Sequence, residues 1–160
     1  MNAKDVVKYG HEAFLKAIEN LPESAWIEGF VTGTWNVKDV VGHIAAYEAV
    51  FVEVLKKVLE PAFATPLIDK RLDPNYQFNE EQAALRKNQP YKQVLQEYLD
   101  THEQARQLVE KIPTEKLNQT GTLSWYNLEY SLDDYIVYRN YGHKRHHAAQ
   151  IKIFRQKNNA

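Results

Sequence analysis

The stretch that decides the fold is residues 36–59, NVKDVVGHIAAYEAVFVEVLKKVL, where apolar side chains recur at every third or fourth position. This repeat matches the turn of an α-helix and leaves polar side chains on the opposite face. Asn36 is a suitable N-cap, Asp39 suits the first turn, and Pro61 follows the end. The apolar stripe comprises Val37, Val40, Val41, Ile44, Tyr47, Phe51, Val54, Leu55 and Val58. The stretch therefore predicts a long amphipathic helix.

Three further segments show the same periodicity, and together the four predict an all-α four-helix bundle. The three are residues 4–20, 91–111 and 132–156. A long connection between the second and third predicted helices, residues 60–89, permits a crossover and contains a short helical candidate at 79–87. Neither this connection nor residues 112–130 reads as a domain linker, because both carry large apolar side chains. We therefore expect a single domain over residues 1–160.

The composition excludes several classes of function. The chain has 160 residues, 44% apolar and 26% charged, with a formal net charge of −1. This balance gives no reason to expect nucleic acid or an anionic membrane as a partner, and no helix reads as a basic recognition helix. The chain has no cysteine, which excludes disulfides, thiolate metal ligands and a cysteine nucleophile. Any thiol chemistry would need a thiol from a substrate or a cofactor.

The start of the chain lacks the features of a secretory signal peptide. It has no basic start followed by an apolar stretch and a cleavage site. No apolar run approaches the roughly 18 residues that a membrane span needs. We therefore expect a cytoplasmic protein.

The candidate functional residues are histidines in the run YGHKRHHAAQ, residues 141–150. His143 and His147 are four residues apart, which puts both rings on one face of a helix, where they could chelate one divalent metal. They share a stripe with apolar residues, and burying a bare imidazole costs free energy unless its nitrogens are satisfied. His43 borders the stripe of residues 36–59. Three histidines from two helices fit a metal site that keeps a position open for water or substrate.

The alternative interpretation is that each histidine is a partly buried side chain bonded to a carbonyl or a carboxylate. His146 could replace a neighbour as a ligand, but its direction, about 100° from His147, favours the rim or the surface. Gln150 could orient a ligand, or it could be a polar residue at the edge of the bundle. His11 and His102 have no partner pattern and are interpreted as surface residues.

Glu48 is the candidate acidic residue, on the inward side of the second helix. It could be a fourth ligand or a general base, and a boundary carboxylate paired with a cation is an equally good interpretation. Tyrosines near the predicted site could line a pocket or simply fill the core, namely Tyr130, Tyr135, Tyr138 and Tyr141.

Two parts of the chain resemble the DinB/YfiT-like superfamily. Residues 34–44, TWNVKDVVGHI, are similar to the opening of its second helix. Residues 131–136, SLDDYI, followed by residues 143–151, HKRHHAAQI, resemble its last helix. The resemblance extends over about residues 4–155.

The resemblance implies a mostly bacterial four-helix bundle, often dimeric, with a three-histidine site for a divalent metal such as nickel or zinc. By carry-over the ligands would be His43, His143 and His147, the same three residues that the spacing indicates. Members with known activity include transferases and isomerases that use low-molecular-weight bacterial thiols. A related branch protects cells against reactive small molecules.

Three functional hypotheses follow for this chain. The leading one is a metal-dependent S-transferase that joins an external thiol to an electrophilic small molecule, with Glu48 or a tyrosine handling the proton. The second is a hydrolase that uses metal-bound water at the same site. The third is a bundle that binds or sequesters a small molecule without catalysis. A homodimer is a candidate state for each.

Overall fold

The structure, a computed structural model, describes residues 2–160 and is all-α over that range, with no strand. It has eight helices when the continuous helical run at the end is counted as one. They are α1 (Ala3–Ile18), α2 (Glu23–Ile27), α3 (Val37–Leu59), α4 (Pro66–Leu72), α5 (Phe78–Arg86), α6 (Tyr91–Glu110), α7 (Thr114–Asn118) and α8 (residues 132–158). The predicted all-α class is confirmed. No helix within residues 2–160 is long and apolar enough to cross a membrane.

Side-chain caps fix where the two helices that carry the candidate histidines begin. In α3, Asn36 accepts a hydrogen bond from the Asp39 N–H at 2.8 Å, and Asp39 accepts one from the Asn36 N–H at 3.1 Å. In α8, Ser131 and Asp134 form the same reciprocal pair. Each such cap stabilises a helix by about 1 kcal/mol. The N-cap predicted at Asn36 is confirmed.

The four long helices α1, α3, α6 and α8 form the bundle with an up-down-down-up order. Helices α3 and α6 run parallel, as do α1 and α8, while the pairs α3/α8 and α1/α6 run antiparallel. Two contacts fix the relative direction of each pair. They are Gly42–Val94 and Glu48–His102 for α3/α6, and Gly10–Tyr141 and Ala17–Arg155 for α1/α8. They are His43–His143 and Glu48–Asn140 for α3/α8, and Lys4–Glu110 and His11–Tyr98 for α1/α6. Two consecutive parallel helices require a long crossover connection, which residues 60–77 and α5 supply.

The crossover connection contains two helices, α4 and α5, where the sequence predicted only the second. Glu53 of α3 holds the start of α4, because its carboxylate accepts hydrogen bonds from the backbone N–H groups of Leu67 and Ile68 at 3.0–3.1 Å. These N–H groups have no partner inside their own helix, and a negative charge at a helix N-terminus is favourable. The contact fixes α4 beside α3, where Ile68, Arg71 and Leu72 of α4 form one wall of a cavity.

The helix α8 has an interruption that its sequence did not predict. It comprises Leu132–Tyr135, a π-helical segment Ile136–Tyr141, and Gly142–Asn158. A π turn takes in one residue more than an α turn, so it rotates the residues that follow by roughly 100° relative to an uninterrupted α-helix. The segment ends directly before the histidines and therefore sets which of the following side chains face α3.

Candidate metal centre

Three histidine rings meet between α3 and α8. His43 comes from α3, and His143 and His147 come from consecutive turns of α8. The Nε2 atom of His143 lies 2.9 Å from Nε2 of His43 and 3.1 Å from Nε2 of His147. Each of the three rings offers a ligand atom, and these atoms all lie within 4.8 Å of one another. The two chain segments predicted to supply the ligands are thus brought together.

The electrostatics of this three-histidine group favour neutral rings. Burial, followed by the His147 charge and the Arg71 charge, lowers the pKa of His43 to about 3. Burial and the neighbouring His43 and His147 lower the pKa of His143 to about 2, and burial also lowers the pKa of His147. At neutral pH each ring therefore carries one proton and one free lone pair. Neutral imidazoles with free lone pairs are the form in which histidine binds metals.

The geometry fits a single metal ion. The close approach of three Nε2 atoms cannot be satisfied by hydrogen bonds alone, because the central His143 Nε2 can share only one proton with its two neighbours. Two nitrogens at about 2.0–2.1 Å from a tetrahedral ion lie about 3.3 Å apart, so the two contacts of His143 Nε2, at 2.9 and 3.1 Å, would lengthen only slightly around an ion. The three-histidine group could therefore hold a divalent metal with a fourth position open.

Gln150 orients one of the rings. The Nδ1–H of His147 donates a hydrogen bond of 2.8 Å to the Gln150 side-chain oxygen. With its proton on Nδ1, the ring keeps the Nε2 lone pair free on the side of the other histidines. Such a contact is the usual way in which a metal-binding histidine is fixed in tautomer and direction.

Glu48 forms a buried ion pair with Lys144. Its Oε2 lies 2.6 Å from Lys144 Nζ, and the two side chains are 1% and 2% exposed. Its Oε1 accepts a long hydrogen bond of 3.4 Å from His102 Nδ1. Burial alone would raise the pKa of Glu48, but the charges and hydrogen bonds of Lys144 and His102 hold it at about 2. Glu48 is thus a carboxylate paired with a cation, which was one of its two interpretations. It does not belong to the three-histidine group. A catalytic role for Glu48 stays a prediction.

The interpretation of His102 as a surface residue is wrong. His102 is 5% exposed, and its ring stacks on that of His11 with centroids 3.7 Å apart. His11 is half-buried, lies 2.8 Å from the Tyr98 hydroxyl through Nδ1, and has its pKa lowered to about 4, chiefly by burial. The spacing of His102 from Tyr98 and Ala105 places it on the inward stripe of α6, and this signal could have identified it.

These residues form a polar layer across the bundle. We use this name for one group from each long helix: His11 of α1, Glu48 of α3, His102 of α6 and Lys144 of α8. The layer lies directly beside the three-histidine group, because Lys144 follows His143 in the chain. Charges buried in this way are paired and hydrogen-bonded, since an unpaired charge would be very costly.

A cavity of about 510 Å³ opens beside the histidines. His43 and His143 form part of its wall, with polar, aromatic and charged side chains around them. These side chains include Tyr47, Glu48, Arg71, Asn79, Trp125, Tyr126, Tyr135, Tyr138, Arg139, Lys144 and His146. A cavity of this size can enclose much of a small organic molecule.

Several lining residues were missed by the sequence analysis. Of the four tyrosines considered, Tyr135 and Tyr138 line the cavity, whereas Tyr47, which lies closest to the histidines, was counted only as a core residue. The Tyr47 ring centroid lies 4.8 Å from His43 and 4.9 Å from His143. The exposed His146 lies at the cavity wall, as its direction predicted, and does not belong to the three-histidine group.

Comparison with known proteins identifies a family that the chain matches. The DinB superfamily model matches residues 8–151, a range that contains all three histidines and Gln150. The resemblance noted in residues 34–44 and 131–151 is thereby confirmed. No match was found among curated proteins.

Proposed function

The chain belongs to the DinB superfamily, and on this basis we propose that it is a divalent-metal-dependent enzyme, a thiol S-transferase acting on an electrophilic small molecule. His43, His143 and His147 would hold the metal, with nickel or zinc as the candidate ions. One observation carries the proposal: the three histidine rings converge, and two of them, His43 and His143, line a cavity large enough for a substrate. When bound, a divalent metal supplies the Lewis acidity that lowers the pKa of a thiol and makes it nucleophilic near neutral pH.

The reaction needs a thiol from outside the chain, because the sequence has no cysteine. The thiol gives up its proton, and a sulfur electron pair forms the new carbon–sulfur bond. The leaving group departs with the electron pair of the broken bond and takes up a proton. Atoms and charge balance without an oxidant or a reductant.

The cavity side chains would position the reactants. Tyr47 stands against His43 and His143, and its hydroxyl donates a hydrogen bond of 2.8 Å to Asn79 Oδ1. Burial, opposed by nearby arginines, raises the pKa of Tyr47, so its hydroxyl stays protonated. To donate to a leaving group, the hydroxyl would exchange its hydrogen bond to Asn79 for one to the substrate. Tyr47 is therefore the tyrosine that we assign to handling the proton of the leaving group.

Glu48 is less suited to that task. A general base must have a free oxygen, and both carboxylate oxygens of Glu48 are engaged by Lys144 and His102. Its low pKa also makes it a weak proton acceptor. We therefore propose that Glu48 positions α8 against α3, so that His143 and His147 meet His43.

Hydrolysis is the second candidate, since a three-histidine site with an open position can equally activate water. Turnover of the same electrophiles with and without added thiol separates the two reactions. The third candidate, a bundle that only binds a small molecule, draws support from the size of the cavity. It predicts unchanged ligand binding, and no turnover, after metal removal.

The first experiment measures metal per chain by mass spectrometry, on protein purified without nickel-affinity resin. We expect near-stoichiometric metal in the native protein and none in the His143→Ala, His147→Ala double variant. His146→Ala is the matched control, because it removes a neighbouring exposed histidine outside the group. Absence of metal in the native protein after incubation with nickel or zinc, or equal metal in the double variant, would overturn the proposal.

A further inference from the structure

Two arginines at the cavity lack an acidic partner. Arg71 comes from α4 and Arg139 from the π-helical segment of α8, and both line the cavity. Within residues 2–160 neither takes part in a salt bridge, whereas Arg86 pairs with Glu97 and Arg106 pairs with Glu103. No carboxylate of the described residues thus lies within 4.0 Å of either guanidinium group.

Aromatic side chains hold these two guanidinium groups in place. The Arg71 Cζ lies 5.8 Å from the ring centroid of Tyr47, and the Arg139 Cζ lies 5.5 Å from that of Tyr126. A guanidinium has five N–H donors, so contact with a tyrosine leaves donors for a ligand, and its planar fork matches an oxyanion with two acceptor oxygens. Since the Tyr47 ring also touches His43 and His143, Arg71 lies one aromatic ring away from the three-histidine group.

The charges of the whole lining favour an anion. Its charged residues are Arg71, Arg139, Lys144 and Glu48, and the last two neutralise each other in their ion pair. The cavity therefore carries two positive charges, and a divalent metal would add to them. A cleft lined by charge of one sign concentrates ligands of the opposite sign.

We propose that the cavity selects small organic molecules that carry an oxyanion, a carboxylate or a phosphate, bound by Arg71 and Arg139. The oxyanion would lie at these arginines while the reacting end of the molecule faces His43 and His143. This orientation rests on the proposed function, but binding of the oxyanion itself does not require a metal. Aromatic residues at the wall, such as Trp125 and Tyr138, suit an organic body attached to the anion.

The test is calorimetric titration of metal-free protein with three probes that share an aromatic ring: benzoate, phenyl phosphate and the neutral benzamide. We expect both anions to bind more tightly than benzamide and to lose affinity as salt is added. Arg71→Gln and Arg139→Gln should each weaken anion binding by about tenfold, since a charge-assisted hydrogen bond contributes at least that factor. Benzamide binding should not change. The two anion probes show whether carboxylate or phosphate is preferred.

Arg145→Gln is the matched control. Arg145 also lies over a tyrosine ring, that of Tyr141, and is exposed, but it does not line the cavity. Equal affinity for benzoate and benzamide, or anion binding that survives the Arg71→Gln, Arg139→Gln double variant, would overturn the inference. Both arginines are exposed, so we expect these variants to fold, and thermal unfolding checks this.

The same titration separates failure of this inference from failure of the proposed function. If the His143→Ala, His147→Ala variant binds no metal yet keeps its preference for anions, the anion site is independent of the metal. If the native protein binds metal but shows no preference for anions, only the inference about substrate class fails.

Discussion

Lys144 of α8 and Glu48 of α3 form an ion pair of 2.6 Å in the centre of the bundle, where both side chains are almost fully buried. The pair joins the helix that carries His43 to the helix that carries His143 and His147. Lys144 also follows His143 directly in the chain. The alignment of the three-histidine group thus depends on a contact that is not part of it.

Removing one partner of this pair should strongly destabilise the protein. Glu48→Gln leaves the Lys144 ammonium buried without its counter-charge. Lys144→Met likewise leaves the Glu48 carboxylate buried without its counter-charge. Breaking a buried ion pair from one side costs about 3–5 kcal/mol. The double variant should lose less than the two single variants together. Urea unfolding of all four proteins measures this, and single losses below about 1 kcal/mol would contradict it.

Stability of the metal-free protein should fall as the pH is lowered from 7. The pKa values of His43, His143 and His11 are lowered in the folded state to about 3, 2 and 4, so the folded protein keeps these rings neutral where the unfolded chain protonates them. The unfolded state therefore binds more protons below about pH 6.5, and the free energy of unfolding decreases there by about 1.4 kcal/mol per pH unit for each additional proton.

Glu48 should add to this loss only at lower pH. Its folded-state pKa of about 2 is depressed below the unfolded value, so its contribution is present above about pH 4.5 and is lost as the pH falls towards 2. Urea unfolding between pH 5 and 7.5 measures the contribution of the histidines to the free energy of unfolding separately from that of Glu48. A His143→Gln, His147→Gln variant should show a flatter dependence, and an identical slope in both proteins would contradict this assignment.

The sequence predicted some parts of this site and not others. The stripes of α3 and α8 and the four-residue spacing of His143 and His147 depend on local periodicity, so the bundle and the meeting of the three histidines could be expected. The pairing of Lys144 with Glu48 could not, because lysine is rarely buried and its partner is distant in sequence. Arg71 was missed because it comes from a connection whose path the sequence does not specify.

Gln150→Leu should weaken metal binding without abolishing it. The change removes the oxygen that accepts the His147 Nδ1–H bond, so the ring loses its fixed tautomer and direction. Loss of such a contact costs about 10- to 100-fold in metal affinity. Competition with a chromogenic chelator measures the affinity. His146→Leu is the control and should bind metal like the native protein, and equal affinities in Gln150→Leu and native protein would argue against the proposed orientation.

Metal should stabilise the folded protein through the three histidines. A ligand that binds only the folded state at 100 times its Kd adds about 2.7 kcal/mol to the free energy of unfolding. Thermal unfolding with increasing nickel or zinc should therefore show a rising Tm in native protein. In His43→Ala the rise in Tm should be much smaller, because the remaining pair of His143 and His147 binds metal more weakly than three histidines, and the same rise in that variant would show that His43 is not a ligand.

Deletion of one residue from the π-helical segment should leave the direction of His143 and His147 unchanged. Val137 is 39% exposed, so removing it discards little core contact, while it allows Ile136–Tyr141 to close into an ordinary α-helix. The deletion removes both one residue and the wider turn that accommodates it, so the residues that follow keep their direction towards α3 and α1. We therefore expect the deletion variant to bind metal. Insertion of one alanine after Val137 should instead rotate the following residues by roughly 100° and abolish metal binding. Loss of metal binding in a folded deletion variant, or native affinity in the insertion variant, would contradict this account of the π turn.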